Sequence, residues 1–104
     1  MNEYFEVDVT KTSFDWDDEK ERINFIKHSV HFKTAARVFF DPYKLIREDE
    51  EHQNELRYDV LGKVGKVLFV VCTFLEGDTI RLISARPATK AEKARYEHGE
   101  DQDE

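Results

Sequence analysis

Apolar positions along the chain change their period several times, and each change marks an element. Glu3 to Thr10 sets Tyr4, Glu6 and Asp8 against Phe5, Val7 and Val9, the period-two pattern of a short edge strand or an ordered arm. From Asp17 the period lengthens. Ile23, Ile26 and Val30 fall at helical spacing with Trp16 ahead of them, forming one apolar stripe. Asp17-Asp18-Glu19 at the start and Lys27-His28 at the end complement the macrodipole of a helix from Asp17 to about His28. Beyond the short turn Ser29-Val30-His31, the residues Phe32, Ala35, Ala36, Phe39 and Phe40 repeat with helical period and predict a second amphipathic helix. Asp41-Pro42 stops it, because proline lacks a donor and pushes the preceding residue out of the α region.

The second half reads as strands. Tyr43 to Arg47 is apolar enough for one, Glu48 to Glu55 is a charged loop, and Arg57 to Leu61 is the next strand, turned by Gly62-Lys63-Val64-Gly65-Lys66. Val67 to Phe74 is apolar at almost every position, which predicts a central strand covered on both faces. After the turn Glu76-Gly77-Asp78 comes the β-branched run from Thr79, which carries Arg81 and Arg86. These arginines are five residues apart, so on one regular strand they point to opposite faces. A last helix starts at Pro87 or Thr89 and runs from Lys90 to about Glu97, and an acidic tail follows Gly99. Consecutive strands with short connections are antiparallel. The predicted class is therefore α+β, with two N-terminal helices packed on an antiparallel meander and a short C-terminal helix.

Composition narrows the possibilities. A chain of 104 residues encloses one core. With 39% hydrophobic and 38% charged residues it reads as folded rather than disordered. It has no apolar run approaching the roughly 18 residues that span a bilayer, and its N-terminus lacks the pattern of a signal peptide, so the expected location is the cytoplasm, with no membrane partner. Cys72, the single cysteine, lies in an apolar run and reads as a core thiol. The net charge of −7 is unevenly spread: residues 1 to 56 carry −6, residues 57 to 96 carry +4, and residues 97 to 104 carry −5. Such a basic half bracketed by acidic segments suits a polyanion on one face and a basic partner on another.

Several chemistries are poorly supported. Gly62 to Lys66 is too short for a phosphate-binding loop and lacks its Ser/Thr, no histidine pair has helical ligand spacing, and no nucleophile triad has local support, so no metal or cofactor is expected. What remains is Lys27, His28, Arg57, Arg81, Arg86 and Tyr96. RNA cleavage by the RNA's own 2′-hydroxyl needs a base, an acid and cations for the phosphorane charge, and these types are sufficient for it. They fit an ordinary interaction domain more readily, with the arginines as surface charges.

A resemblance separates the two. Phe14-x-Trp16-Asp17-x-x-Lys20-x-x-x-Asn24-x-x-Lys27-His28-x-Val30-x-Phe32-x-x-Ala35-Ala36-x-Val38-Phe39-x-Asp41-Pro42, then Arg57, Gly62, the Val67 to Thr73 run, Ile80-Arg81-x-Ile83-Ser84-Ala85-Arg86-x-Ala88-Thr89 and Glu92-x-x-x-Tyr96-Glu97, resembles the BrnT family of toxins. The likeness implies residues 14–97 as the domain, with 1–13 as an arm or edge strand and 98–104 as a tail. It also implies a RelE-like fold, a translation-blocking endoribonuclease of a type II toxin-antitoxin system, and neutralisation in a hetero-oligomer by a BrnA-type antitoxin that supplies the DNA contact. Within it, Arg81 and Arg86 would hold the scissile phosphate, Arg57 would assist, and Tyr96 would donate a proton or stack on a base. Lys27, His28 and Lys90 would bind RNA. Two departures stand out. Ser29 replaces the glycine that usually follows Lys-His, at about 1 kcal/mol, and Leu75 stands where the family often carries an arginine after the central threonine. A catalytically weak module that binds a DNA-binding antitoxin and tunes its repression is thus the alternative.

Overall fold

The computed structural model describes residues 11–49 and 56–99; the alternating stretch Glu3 to Thr10 and most of the predicted charged loop fall outside them. Five strands, β1 (Ser13–Asp15), β2 (Leu45–Asp49), β3 (Arg57–Val64), β4 (Lys66–Leu75) and β5 (Thr79–Pro87), form one sheet in the order β1-β5-β4-β3-β2. β2 to β5 are the expected antiparallel meander. The sheet as a whole is mixed rather than antiparallel, because β1 pairs in parallel with β5, Phe14 opposite Ile80. A parallel partner needs a long crossover, and the whole chain between them supplies it.

Alternation along the strands assigns two faces. On one, Val60, Leu68, Val70, Cys72, Ile80, Leu82 and Ala85 pack beneath α2 (Phe32–Ala35), whose Phe32 and Ala35 are fully buried, and beneath the 3₁₀ segment Ala36–Phe40, which buries Val38 and Phe39. The second helix is therefore shorter than its apolar repeat predicts. Its last turn tightens to 3₁₀ before Asp41-Pro42, as helix ends commonly do. On the other face, α3 (Lys90–His98) covers a smaller cluster of Leu61, Val67 and Ala88, with Leu45, Phe69 and Tyr96 at its margin. Burial pushes the Cys72 thiol up to about 12, with the Asp59 charge adding to it, so it behaves as a core residue.

Gly62 belongs to β3 rather than to a turn, which is confined to Gly65 between Val64 and Lys66. A Cβ at Gly62 would lie 2.6 Å from the Cβ of Val38, so this glycine lets the 3₁₀ segment approach the sheet.

The first helix, α1 (Asp18–His28), is capped by Asp17, which accepts from the Lys20 N–H, and ends at Ser29 with φ 60°. Its buried position is Asn24, only 5% exposed, whereas Ile23 and Ile26 of the expected stripe are 40% and 68% exposed. The reason is β5. β1 pairs with it only from Thr79 to Arg81, and beyond that the strand edge at Ala85 would be open. Asn24 closes it: its amide oxygen accepts from the Ala85 N–H at 3.0 Å and its amide nitrogen donates to the Ala85 carbonyl at 2.9 Å and to the Val30 carbonyl at 2.9 Å.

Truncation at Asn24 leaves buried backbone groups without partners, each costing about 1–3 kcal/mol. Asn24→Ala should lower the unfolding free energy by about 3 kcal/mol in urea titration, whereas Ser29→Gly, which relieves a left-handed non-glycine residue, should raise it by about 0.5–1 kcal/mol.

Candidate functional site

Within β5, Arg81 stands opposite Thr73 and Arg86 opposite Phe69 on β4. Leu82 pairs with Cys72 and Ser84 with Val71, leaving Ile83 as an extra residue at a β-bulge. That residue reverses the parity of the strand. Arg81 and Arg86 therefore lie on the same face of the sheet, not on opposite ones as regular alternation predicts.

The registers bring further residues to that face. Asp15 pairs with Arg81, Arg47 with Asp59, and Asp49 with Arg57. Asp59 pairs in turn with Val71. Among the described residues the face carries Arg47, Arg57, Arg81 and Arg86 against Asp15, Asp49 and Asp59, an alternating lattice of charge. Arg47, Asp15, Asp49, Asp59 and Thr73 were not candidates from the sequence. The period-two pairs Arg47/Asp49 and Arg57/Asp59 are the signal that could have found them.

The lattice has two environments. Toward one end of the strands, α3 closes over it. Arg86, whose side chain is 33% exposed, donates from Nη1 and Nη2 to the two carboxylate oxygens of Glu92 at 2.9 and 3.0 Å and from Nη1 to the Pro87 carbonyl at 3.2 Å. Its guanidinium also lies 4.2 Å from the centre of the Phe69 ring, a cation–π contact. Glu92 completes the capping box of α3, accepting from the Thr89 N–H while Thr89 Oγ1 accepts from the Glu92 N–H. Burial pushes the Glu92 carboxyl up, but the Arg86 and Thr89 bonds with the Arg86 charge outweigh it and hold it below its ordinary value. Lys90, exposed, is the first residue of this helix.

Tyr96, from the same helix, donates its hydroxyl to Asp41 Oδ2 at 2.5 Å. Asp41 accepts also from the backbone N–H groups of Lys63 at 2.7 Å and Tyr43 at 2.9 Å. Burial alone would raise the Asp41 carboxyl, yet these bonds and the Lys44 charge keep it low. Burial, then the bond to Asp41, pushes Tyr96 well above the ordinary tyrosine range. The pair ties α3 to β3 and to the end of the 3₁₀ segment.

At the other end of the face the described residues leave the sheet open. Arg81 makes one ion pair, Nη2 to Asp15 Oδ2 at 2.8 Å, with both side chains 44% exposed. Arg57 stands two strands away on β3, and Thr73 lies on the strand between, its Oγ1 donating to the Leu56 carbonyl at 2.8 Å. Lys27 and His28 sit in the last turn of α1, along the outer edge of β5 and off this face. The structure thus brings Arg57, Arg81 and Arg86 together, puts Tyr96 and Lys90 on the covering helix, and leaves Lys27 and His28 apart.

A family model described as the ribonuclease toxin BrnT of type II toxin-antitoxin systems matches residues 16–92. The chain belongs to the BrnT family. A crystal structure of the Brucella abortus ribonuclease toxin BrnT superposes with a TM-score of 0.59 at 18% identity, covering 76% of this chain and 99% of that one. At that identity the likeness concerns the fold. No curated protein matches. Membership of the BrnT family implies an RNA substrate and an antitoxin partner. Among the described residues no helix is long and apolar enough to cross a membrane.

The carboxylates and the tyrosine of these tethers have opposite pH signatures. The depressed carboxyls of Asp41 and Glu92 stabilise the fold above the ordinary carboxylate range, and this is lost as pH falls through their folded-state values. Tyr96 stabilises it below about pH 10 and loses its contribution as pH rises through its raised value. Tyr96→Phe should cost about 1–2 kcal/mol at neutral pH and flatten the alkaline limb of a urea-midpoint profile, and Glu92→Gln should flatten the acid limb.

Proposed function

We propose that this BrnT-family chain is a metal-independent endoribonuclease that blocks translation by cleaving RNA in the cytoplasm. A BrnA-type antitoxin neutralises it in a hetero-oligomer and makes the DNA contact of the complex. The observation that carries this reading is the β5 bulge, which gathers Arg81, Arg86 and the β3 residue Arg57 on one sheet face whose Arg57–Arg81 end is open among the described residues. Guanidinium groups there hold the scissile phosphate and stabilise the charge that grows on the phosphorane as the 2′-hydroxyl attacks. Arg81 and Arg57 are the principal phosphate ligands. Arg86, bound to Glu92 and to the Pro87 carbonyl and packed against the Phe69 ring, acts mainly as the strut that seats α3, and Tyr96, whose hydroxyl donates to Asp41, is the anchor of that helix. Lys90 on the covering helix, with Lys27 and His28 beyond the β5 edge, binds flanking nucleotides.

A catalytically weak antitoxin-binding module is the alternative favoured by Leu75. This residue lies on the arginine face two positions beyond Thr73 and is 43% exposed, so the cation common in the family is missing from the exposed end of the site.

Purified chain should cleave total RNA in EDTA and arrest growth when expressed without its partner. Arg81→Ala and Arg57→Ala should each lower kcat/KM by about 10²-fold or more, and Arg81→Ala should also reduce the salt slope of RNA binding by about 0.7. Leu75→Arg should increase that slope by a similar amount. Harmless expression with stable antitoxin binding would establish the module instead.

A further inference from the structure

One row of the open face crosses all five strands: Asp15 on β1, Arg81 on β5, Thr73 on β4, Arg57 on β3 and Asp49 on β2. Arg57 takes its place beside Thr73 because the next pair along β3 and β4 is Tyr58 with Cys72. The row is symmetric in its chemistry, acid, arginine, hydroxyl, arginine, acid. We infer that it is a single phosphate slot centred on Thr73, in which the Thr73 hydroxyl turns its proton from the Leu56 carbonyl to a phosphate oxygen held between the two guanidinium groups.

Spacing supports one anion rather than two. Neighbouring strands are about 4.8 Å apart, so the backbones of Arg57 and Arg81 stand roughly 10 Å apart with Thr73 midway. Long side chains rising from both sides of a short one meet above it. The outer acids suit this arrangement. Asp15 holds Arg81 through one nitrogen at 2.8 Å, which leaves guanidinium donors for an anion, and Asp49 stands in the corresponding place beside Arg57. With two arginines and two aspartates the row is neutral, so it selects a phosphate by hydrogen-bond geometry more than by long-range attraction.

One shoulder of the slot is apolar: Leu75, 43% exposed, lies on the same face next along β4. An exposed leucine beside a phosphate slot suits a base that is unstacked from a duplex, which makes unpaired nucleotides the substrate class. This assignment deepens the proposed ribonuclease site and rests on it for the identity of the ligand, though not for the slot itself.

Inorganic phosphate is the probe. Titrated into the ¹⁵N-labelled full chain, it should shift the Nε–H signals of Arg57 and Arg81 and the Thr73 amide along one binding curve. Thr73→Val should weaken phosphate binding about tenfold and raise KM for a short single-stranded RNA, whereas Thr73→Ser, which keeps the hydroxyl, should stay within about threefold of the parent. A thermal melt of each variant shows that it is folded. If Thr73 only holds the Leu56 carbonyl, Thr73→Val will lower the melting temperature and leave phosphate affinity unchanged, which overturns the slot. Shifts at Arg86 without Arg57 and Arg81 overturn it as well. A chain that binds phosphate at this row but leaves RNA intact supports the slot and removes the ribonuclease reading, so the two fail separately.

Discussion

Asn24 is the joint on which the architecture depends. Strand β5 is held by β4 along one side, but β1 reaches only its first three residues on the other, and the remaining edge needs a polar partner that no apolar helix face supplies. A single side-chain amide meets both backbone groups of Ala85 and a third at Val30. It thereby fixes α1 against the sheet and sets the path of the chain into α2. The cost is visible on the other side of the helix, where Ile23 and Ile26 remain exposed.

A secured β5 can carry a bulge without losing its place, and the bulge decides which arginines share a face. One extra residue at Ile83 turns two arginines that would have served opposite faces into neighbours of Arg57 and Asp59. The face that results is not simply basic. Each arginine has a carboxylate beside it, from a neighbouring strand or from α3, which orders the guanidinium groups while keeping the face close to neutral.

The covering helix divides this face into a part that it clamps and a part that it leaves uncovered among the described residues. Arg86 with Glu92, and Tyr96 with Asp41, clamp α3 over Leu61, Val67 and Phe69. The same residue types that look catalytic in isolation are here consumed by packing. Arg81, its side chain 44% exposed, makes one ion pair among the described residues.

The order of elements from α1 onward, the stop at Asp41-Pro42, the start of the last helix near Thr89 and the strand meander follow from local period and local backbone preference, and the sequence by itself determined them; β1 and its parallel pairing with β5 were not legible there. The ordered motifs determined the family too. Where the sequence misled, the deciding energy was non-local. Ile23 and Ile26 have helical spacing, but the neighbour of α1 is a strand edge that demands hydrogen bonds, so Asn24 faces inward. Gly62 resembles a turn residue until Val38 is placed against it. Arg81 and Arg86 are five apart in sequence, but a face is defined by the register of β5 on β4, and a bulge in that register has no signature in either strand alone. Tertiary structure therefore decided which charges share a surface and which are spent holding the fold together.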